Sequence, residues 1–153
     1  MTKIVLLDAG PLSAVTHPRA NRNREIAEWL KRLLRAGCHV VIPEIADYEL
    51  RRELLRAGKT ASIERLDDLK RLSRYAPLNT DMMLRAAELW AQARQTSQAT
   101  AKDEALDADV ILAAQAILVC GPEVDVVIAT TNVGHLSRFT QAELWNDIDP
   151  DNC

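Results

Sequence analysis

Apolar residues fall along the chain in two rhythms. Ile4-Val5-Leu6-Leu7 is a short unbroken apolar run behind Lys3, closed by Asp8. Runs of this kind suit a strand buried on both faces. Ala9-Gly10-Pro11 then reads as a break. From Asn23 the rhythm changes: Ile26, Trp29, Leu30, Leu33 and Leu34 recur at helical spacing, and Gly37 stops the helix. His39-Val40-Val41-Ile42 is a second strand, ended by Pro43. Glu44 to Ala57 reads as a helix closed by Gly58, and Ile63, Leu66, Leu69 and Leu72 mark another with a narrow apolar stripe. Tyr75 to Leu78 is a candidate short strand. Thr80 or Asp81 is placed to cap a helix running to about Arg94, with Leu84, Ala87, Trp90 and Ala91 facing inward.

Gln95 to Glu104 is polar and aperiodic, so it reads as a loop. Beyond Asp107 the segment to Cys120 is apolar on every side, which predicts a central, buried helix ended by Gly121-Pro122. Val124 to Ala129 is a β-branched strand with Thr130-Thr131-Asn132 as its exit, and Glu143-Leu144-Trp145 is a last edge strand. There is no internal repeat and no low-complexity linker. Strands alternating with helices predict one domain over residues 1–153, a three-layer α/β/α sandwich around a mostly parallel sheet.

Composition narrows the classes. At 153 residues and 48% hydrophobic the chain suits one globular domain and is too apolar for a disordered one. No apolar run reaches the roughly 18 residues of a membrane span, and the N-terminus does not read as a secretory signal. Cys38, Cys120 and Cys153 are odd in number and lack metal-type spacing. They argue against a disulfide scaffold or zinc site and for a reducing, cytoplasmic setting. The net charge of −3 is unevenly spread. Residues 1–74 carry 15 Lys and Arg against 10 Asp and Glu, and residues 75–153 carry 4 against 12. The acidic half is either a solvated surface or a place where cations gather.

Open parallel sheets bind ligands at the carboxyl ends of their strands. The polar residues expected there are mostly acids: Asp8, then Glu44, Asp47 and Glu49, then Asp107 and Asp109, with Thr130, Thr131 and Asn132. Each has an ordinary structural role open to it. Asp8 suits a turn and Asp107 a helix N-cap, Glu44 and Asp47 suit a helix start, and Glu49 suits a surface ion pair with Arg52. Their convergence would be another matter. Carboxylates ~4 Å apart at an effective dielectric near 20 repel by about 4 kcal/mol per pair. Such a group must protonate, spread or bind a cation. Oxygen ligands without His or Cys select Mg²⁺ or Mn²⁺, ions suited to phosphate-ester hydrolysis.

The segments LLDAGPL, PEIADYELRREL, LDADVILAAQA and VVIATTNVGHLSRF, in that order over nearly the whole chain, resemble the PIN-domain family, and most of all its VapC-like toxin branch. The resemblance implies a metal-dependent endoribonuclease, the toxin of a type II toxin–antitoxin pair, with Mg²⁺ or Mn²⁺ held by Asp8 and Asp109. Asp8, Glu49 and Asp109 match the family's catalytic acids, and Thr130 its hydroxyl residue; Thr130 and Asn132 would contact water or phosphate. Asn132 stands where many relatives have a fourth acid and His135 where others have Asp, and Asp107 is a third candidate for the missing charge. The implied partners are an RNA substrate, a cognate antitoxin and a second copy of the chain as homodimer, with no membrane. Arg19, Arg22, Arg24, Arg51 and Arg52 are candidate backbone contacts. The competing reading is a catalytically impaired PIN-like domain that binds protein or RNA. Aspartate-based phosphotransferases and receiver domains fit less well. The former need a second acid where Gly10 stands, and the latter need a Lys that the 124–129 exit lacks.

Overall fold

A computed structural model describes residues 3–19, 23–96, 103–121 and 123–153. Arg22, Pro122 and most of the segment read as a loop before Glu104 lie outside these. Five strands form one sheet in the order β3-β2-β1-β4-β5: β1 (Lys3–Leu7), β2 (His39–Pro43), β3 (Arg74–Ala76), β4 (Asp125–Thr130) and β5 (Ala142–Leu144). Every pairing is parallel. The helices are α1 (Ala9–Thr16), α2 (Arg24–Arg35), α3 (Glu44–Arg56), α4 (Thr60–Leu72), α5 (Thr80–Gln95), α6 (Asp103–Leu118) and the one-turn α7 (Val133–Leu136). Two 3-10 turns, Trp145–Asp147 and Pro150–Asn152, complete the described chain.

The central strands alternate their side chains between two cores. Val5, Leu7, Val40, Ile42, Val127 and Ala129 pack with Leu12, Trp29, Leu33, Leu50 and Leu66 of α1 to α4. Ile4, Leu6, Val41 and Ile128 pack on the other side with Leu112 and Ala116 of α6 and Leu136 of α7. The three-layer sandwich expected from the sequence is therefore the architecture found. A third core joins α5 to the outer side of α6, which is why α6 is apolar all round: it is covered by the sheet on one side and by a helix on the other. Burying a Leu such as Leu112 contributes roughly 1.5–3 kcal/mol.

One buried polar side chain ties three elements together. Gln115 of α6 is fully buried. Its Oε1 accepts from the Ile45 amide at the start of α3 (3.2 Å) and its Nε2 donates to the Ala76 carbonyl of β3 (2.8 Å).

Several expectations need correction. The Ala9-Gly10-Pro11 segment does not break the chain, because α1 starts at Ala9 with Asp8 as its N-cap. Pro11 in the first turn lacks only an amide that the helix would leave unpaired. The cap of α5 is Asn79, whose side chain accepts from the Met82 amide, and neither Thr80 nor Asp81. Its buried face is Met82, Ala86, Leu89 and Ala93. Leu84 (61% exposed), Ala87 and Trp90 (37%) look outward instead. The helix has apolar residues on both sides, so spacing alone does not fix its phase. Leu72, counted in the α4 stripe, is likewise exposed. Asp107 is not a helix cap, since α6 already begins at Asp103.

The cysteines also depart from expectation. Cys38 and Cys153 are disulfide-bonded, with Cα atoms 5.3 Å apart, within the normal range. The bond fastens the C-terminal end beside the start of β2. Trp29 supports the same junction by donating to the Ile148 carbonyl (2.9 Å) and meeting Trp145 edge-on (centroids 5.6 Å apart). No described helix is long and apolar enough to cross a membrane.

Candidate active site

β1 connects to β2 on one side of the sheet, whereas its other neighbour, β4, is reached only after the chain has passed through β3. The carboxyl ends of β1 and β4 are thus a topological switch point, where parallel sheets leave a crevice. Asp8 follows β1 there and Thr130 ends β4. The Asp8 carboxylate caps α1 by accepting from the Ala9 amide (2.8 Å), and its Oδ2 accepts from the Thr130 hydroxyl (2.8 Å). The same hydroxyl oxygen accepts from the Asn132 amide (3.0 Å). Thr130 is fully buried. It was expected to contact water or phosphate, but both directions of its hydroxyl are used inside the chain, and it orients Asp8.

Gly10 lets α1 begin this close to the β4 exit. A Cβ there would stand 2.8 Å from Thr131 Oγ1 and 3.3 Å from its methyl group.

Two helices bring further acids to the crevice. Glu49 lies in the second turn of α3, half-buried. Burial, together with the negative charges of Asp8 and Asp109 and against the charge of Arg52, holds its carboxyl up to about 6. Asp109 lies in the second turn of α6. Burial and the charge of Asp8 push its pKa upward, while His135 and Arg138 oppose that shift. Asp8, Glu49 and Asp109, dispersed in sequence, thus share one electrostatic environment. The ion pair expected between Glu49 and Arg52 is not formed at contact distance among the described residues; Arg52 lies over the Tyr48 ring, 5.1 Å from its centroid.

His135, from α7, places its Nδ1 3.5 Å from Asp109 Oδ2. That is ion-pair range when the imidazole is protonated, but not a hydrogen bond. Asp109 Oδ2 is buried and has no hydrogen-bond partner. Asn132 is exposed beside His135, and its side chain caps nothing. Asp107 is exposed on α6, lining a groove with Trp90 of α5.

The remaining acids are structural, as expected. Glu44 accepts from the Leu78 amide (2.7 Å). Asp47 is buried and paired with Arg51 (2.9 Å) and Lys70 (3.7 Å). Arg51 also binds Asp67 (2.7 Å), and these hydrogen bonds hold its pKa high, so it is committed to the α3–α4 contact and is not a free phosphate contact.

The donor set is suited to a hard cation. A buried carboxylate oxygen without a hydrogen bond is costly unless a positive group reaches it; protonated His135 is one such group at Asp109 and a cation would be another. Among the described residues, no three His, Cys, Asp or Glu side chains stand close enough together to hold an ion. Mg²⁺ does not require that, because it commonly takes one or two carboxylates and keeps several waters. Asp8 and Asp109 fit such a role.

No protein-family model and no curated protein matches the chain. Solved structures do. One is VapBC2 from Rickettsia felis bound to a DNA fragment from their promoter, with TM-score 0.67 and 15% identity over 93% of this chain and 98% of that one. Another is VapBC-1 from nontypeable Haemophilus influenzae, with TM-score 0.63 and 20% identity over 94% and 98%. At such identities the likeness establishes the fold. The chain has the same α/β/α fold as these VapBC chains, the fold implied by its resemblance to VapC-like PIN domains.

Proposed function

We propose that the protein is a Mg²⁺- or Mn²⁺-dependent endoribonuclease of the VapC-like PIN type, acting as the toxin of a toxin–antitoxin pair. The observation that carries the reading is the buried Asp109 carboxylate, with no hydrogen bond to its Oδ2 and only the His135 imidazole near it, at the crevice it shares electrostatically with Asp8 and Glu49. The VapBC fold neighbours support the same class and the presence of an antitoxin partner.

Asp8 and Asp109 would hold the divalent ion, which supplies charge neutralisation at the phosphoryl oxygens and acidifies water. Thr130 keeps Asp8 turned toward the crevice through its 2.8 Å hydrogen bond. Glu49 orients the attacking water and receives its proton. A carboxyl held near 6 is well matched to that task at neutral pH. The water oxygen bonds to phosphorus in line as the bond to the leaving ribose oxygen breaks, so no 2′-hydroxyl is needed as nucleophile. Asn132, exposed at the rim, donates to water or to a phosphate oxygen. Tyr48, exposed next to Glu49, offers a ring on which an unpaired base can stack.

The test is cleavage of single-stranded or structured RNA by the purified chain. Cleavage should require Mg²⁺ or Mn²⁺ and cease in EDTA. Asp8→Asn and Asp109→Asn should each reduce it to background while the protein remains folded. Equal activity in EDTA would refute the metal requirement. A second reading, an impaired PIN-like domain that binds RNA or protein without cutting, is favoured by one observation: Asn132 stands in place of an acid. RNA binding without turnover in either metal would select it.

A further inference from the structure

Away from the acidic crevice, the described chain has one markedly basic hollow. It has a volume of about 460 Å³ and lies where α1 ends against α3 and α4. Ser13, His17 and Arg19 line it from α1 and its exit, and Lys59 and Ser62 from the start of α4. No acid lines it. Three features make it a receptor for an anion. Arg19 and Lys59, like several other arginines of the described chain, have no ion-pair partner among the described residues, and they are the two that face this hollow. The first turn of α4 carries no acidic residue and no side-chain cap, so its positive end is not offset by a side chain, although the Thr60 amide donates to the Gly58 carbonyl (3.1 Å). Ser62 in that turn is only 6% exposed, lines the hollow and makes no side-chain hydrogen bond. Its hydroxyl, on the lining of the hollow and not bonded within the protein, is free to donate to a ligand there.

We propose that this hollow binds a backbone phosphate of the nucleic-acid strand, at a distance from the bond that is cut. The proposal rests on the nuclease reading for the identity of the strand. α1 has Asp8 at one end and His17 at the other. Eight helical residues therefore separate the hollow from the acids by about 12 Å. The phosphate held in the hollow then belongs to a nucleotide a few positions from the cut, and short substrates cannot reach it.

The experiment measures binding apart from cleavage. A fluorescent single-stranded RNA is titrated in EDTA against the wild type, Arg19→Gln/Lys59→Gln and Ser62→Ala, with thermal melting as the check on folding. Both Arg19 and Lys59 are exposed, so the double variant should melt like the wild type. It should bind at least tenfold more weakly, with a salt slope shallower by about 1.4 for the two charges removed from a single strand. Ser62→Ala should weaken binding several-fold. Inorganic phosphate alone should shift the backbone amide resonances of Thr60 to Ser62 in the wild type and not in the double variant. Unchanged affinity and salt slope in the double variant would overturn the inference while leaving the nuclease reading intact. Lys59-dependent binding by a protein that never cleaves would uphold the phosphate site and remove the nuclease reading.

Discussion

Replacing Glu49 with Gln should stabilise the metal-free protein. The carboxyl has a folded pKa of about 6 against an ordinary 4.5, chiefly because it is half-buried and faces Asp8. A difference of 1.5 units corresponds to about 2 kcal/mol. Much of the group still meets solvent, which screens the interaction, so about 1 kcal/mol is expected. Below pH 4.5 the group is neutral in both folded and unfolded chains and costs nothing. Between 4.5 and 6 the unfolded chain releases the proton first, and stability falls as pH rises. Above 6 the whole cost is present. The wild type should therefore lose about 1 kcal/mol across this window relative to Glu49→Gln, or roughly 2–4 °C in Tm for a domain of this size. Thermal or urea unfolding in EDTA, at several pH values from 4 to 7.5, measures the difference directly. Adding Mn²⁺ should then raise the wild-type Tm by ligand linkage. A variant less stable than the wild type at pH 7, or a gap that does not change with pH, would refute the claim that burial and the neighbouring acids disfavour the Glu49 carboxylate.

Three further outcomes are expected. Thr130→Val leaves Asp8 Oδ2 and the Asn132 amide without their shared hydroxyl, which should cost about 1–3 kcal/mol in urea unfolding and reduce cleavage, with Thr130→Ser retaining both. Gln115→Leu strands the Ile45 amide and the Ala76 carbonyl and should destabilise by about 2–5 kcal/mol, measured the same way. The disulfide spans 115 residues, so on the chain-entropy account reduction should lower stability by about 4–5 kcal/mol; Cys38→Ser should make the melting temperature insensitive to reductant.

The sheet and its layers were legible because continuous apolar runs such as Ile4–Leu7 have few other uses. The acids were legible because they follow strand ends or fall within motifs. Other features depend on tertiary partners. The phase of α5 was misread since Leu84 and Trp90 are as apolar as the buried Leu89. The true start of α6 was missed because Asp103-Glu104 looks like loop and is helical only in context. An odd cysteine count gave no hint that residues 38 and 153 meet. His135 was weighed only as a replacement for an acid, yet it lies against Asp109. No local pattern announces a pair joining α6 to α7.

Asp8, Thr130 and Asp109 are anchored at the crevice in different ways. Thr130 ends β4 and Asp8 follows β1 with its amide bonded to the Ala129 carbonyl of β4 (3.0 Å), whereas Asp109 rides on a helix gripped on its outer flank by α5. The cleft therefore has a fixed jaw and a jaw whose footing is a seam of Ala86, Leu89, Ala93 and Val110. Loosening that seam, which Val110 carries next to Asp109, would change the gap between Asp109 and Asp8 without altering either residue. Substitutions in the α5–α6 packing would therefore reach the crevice through the position of α6.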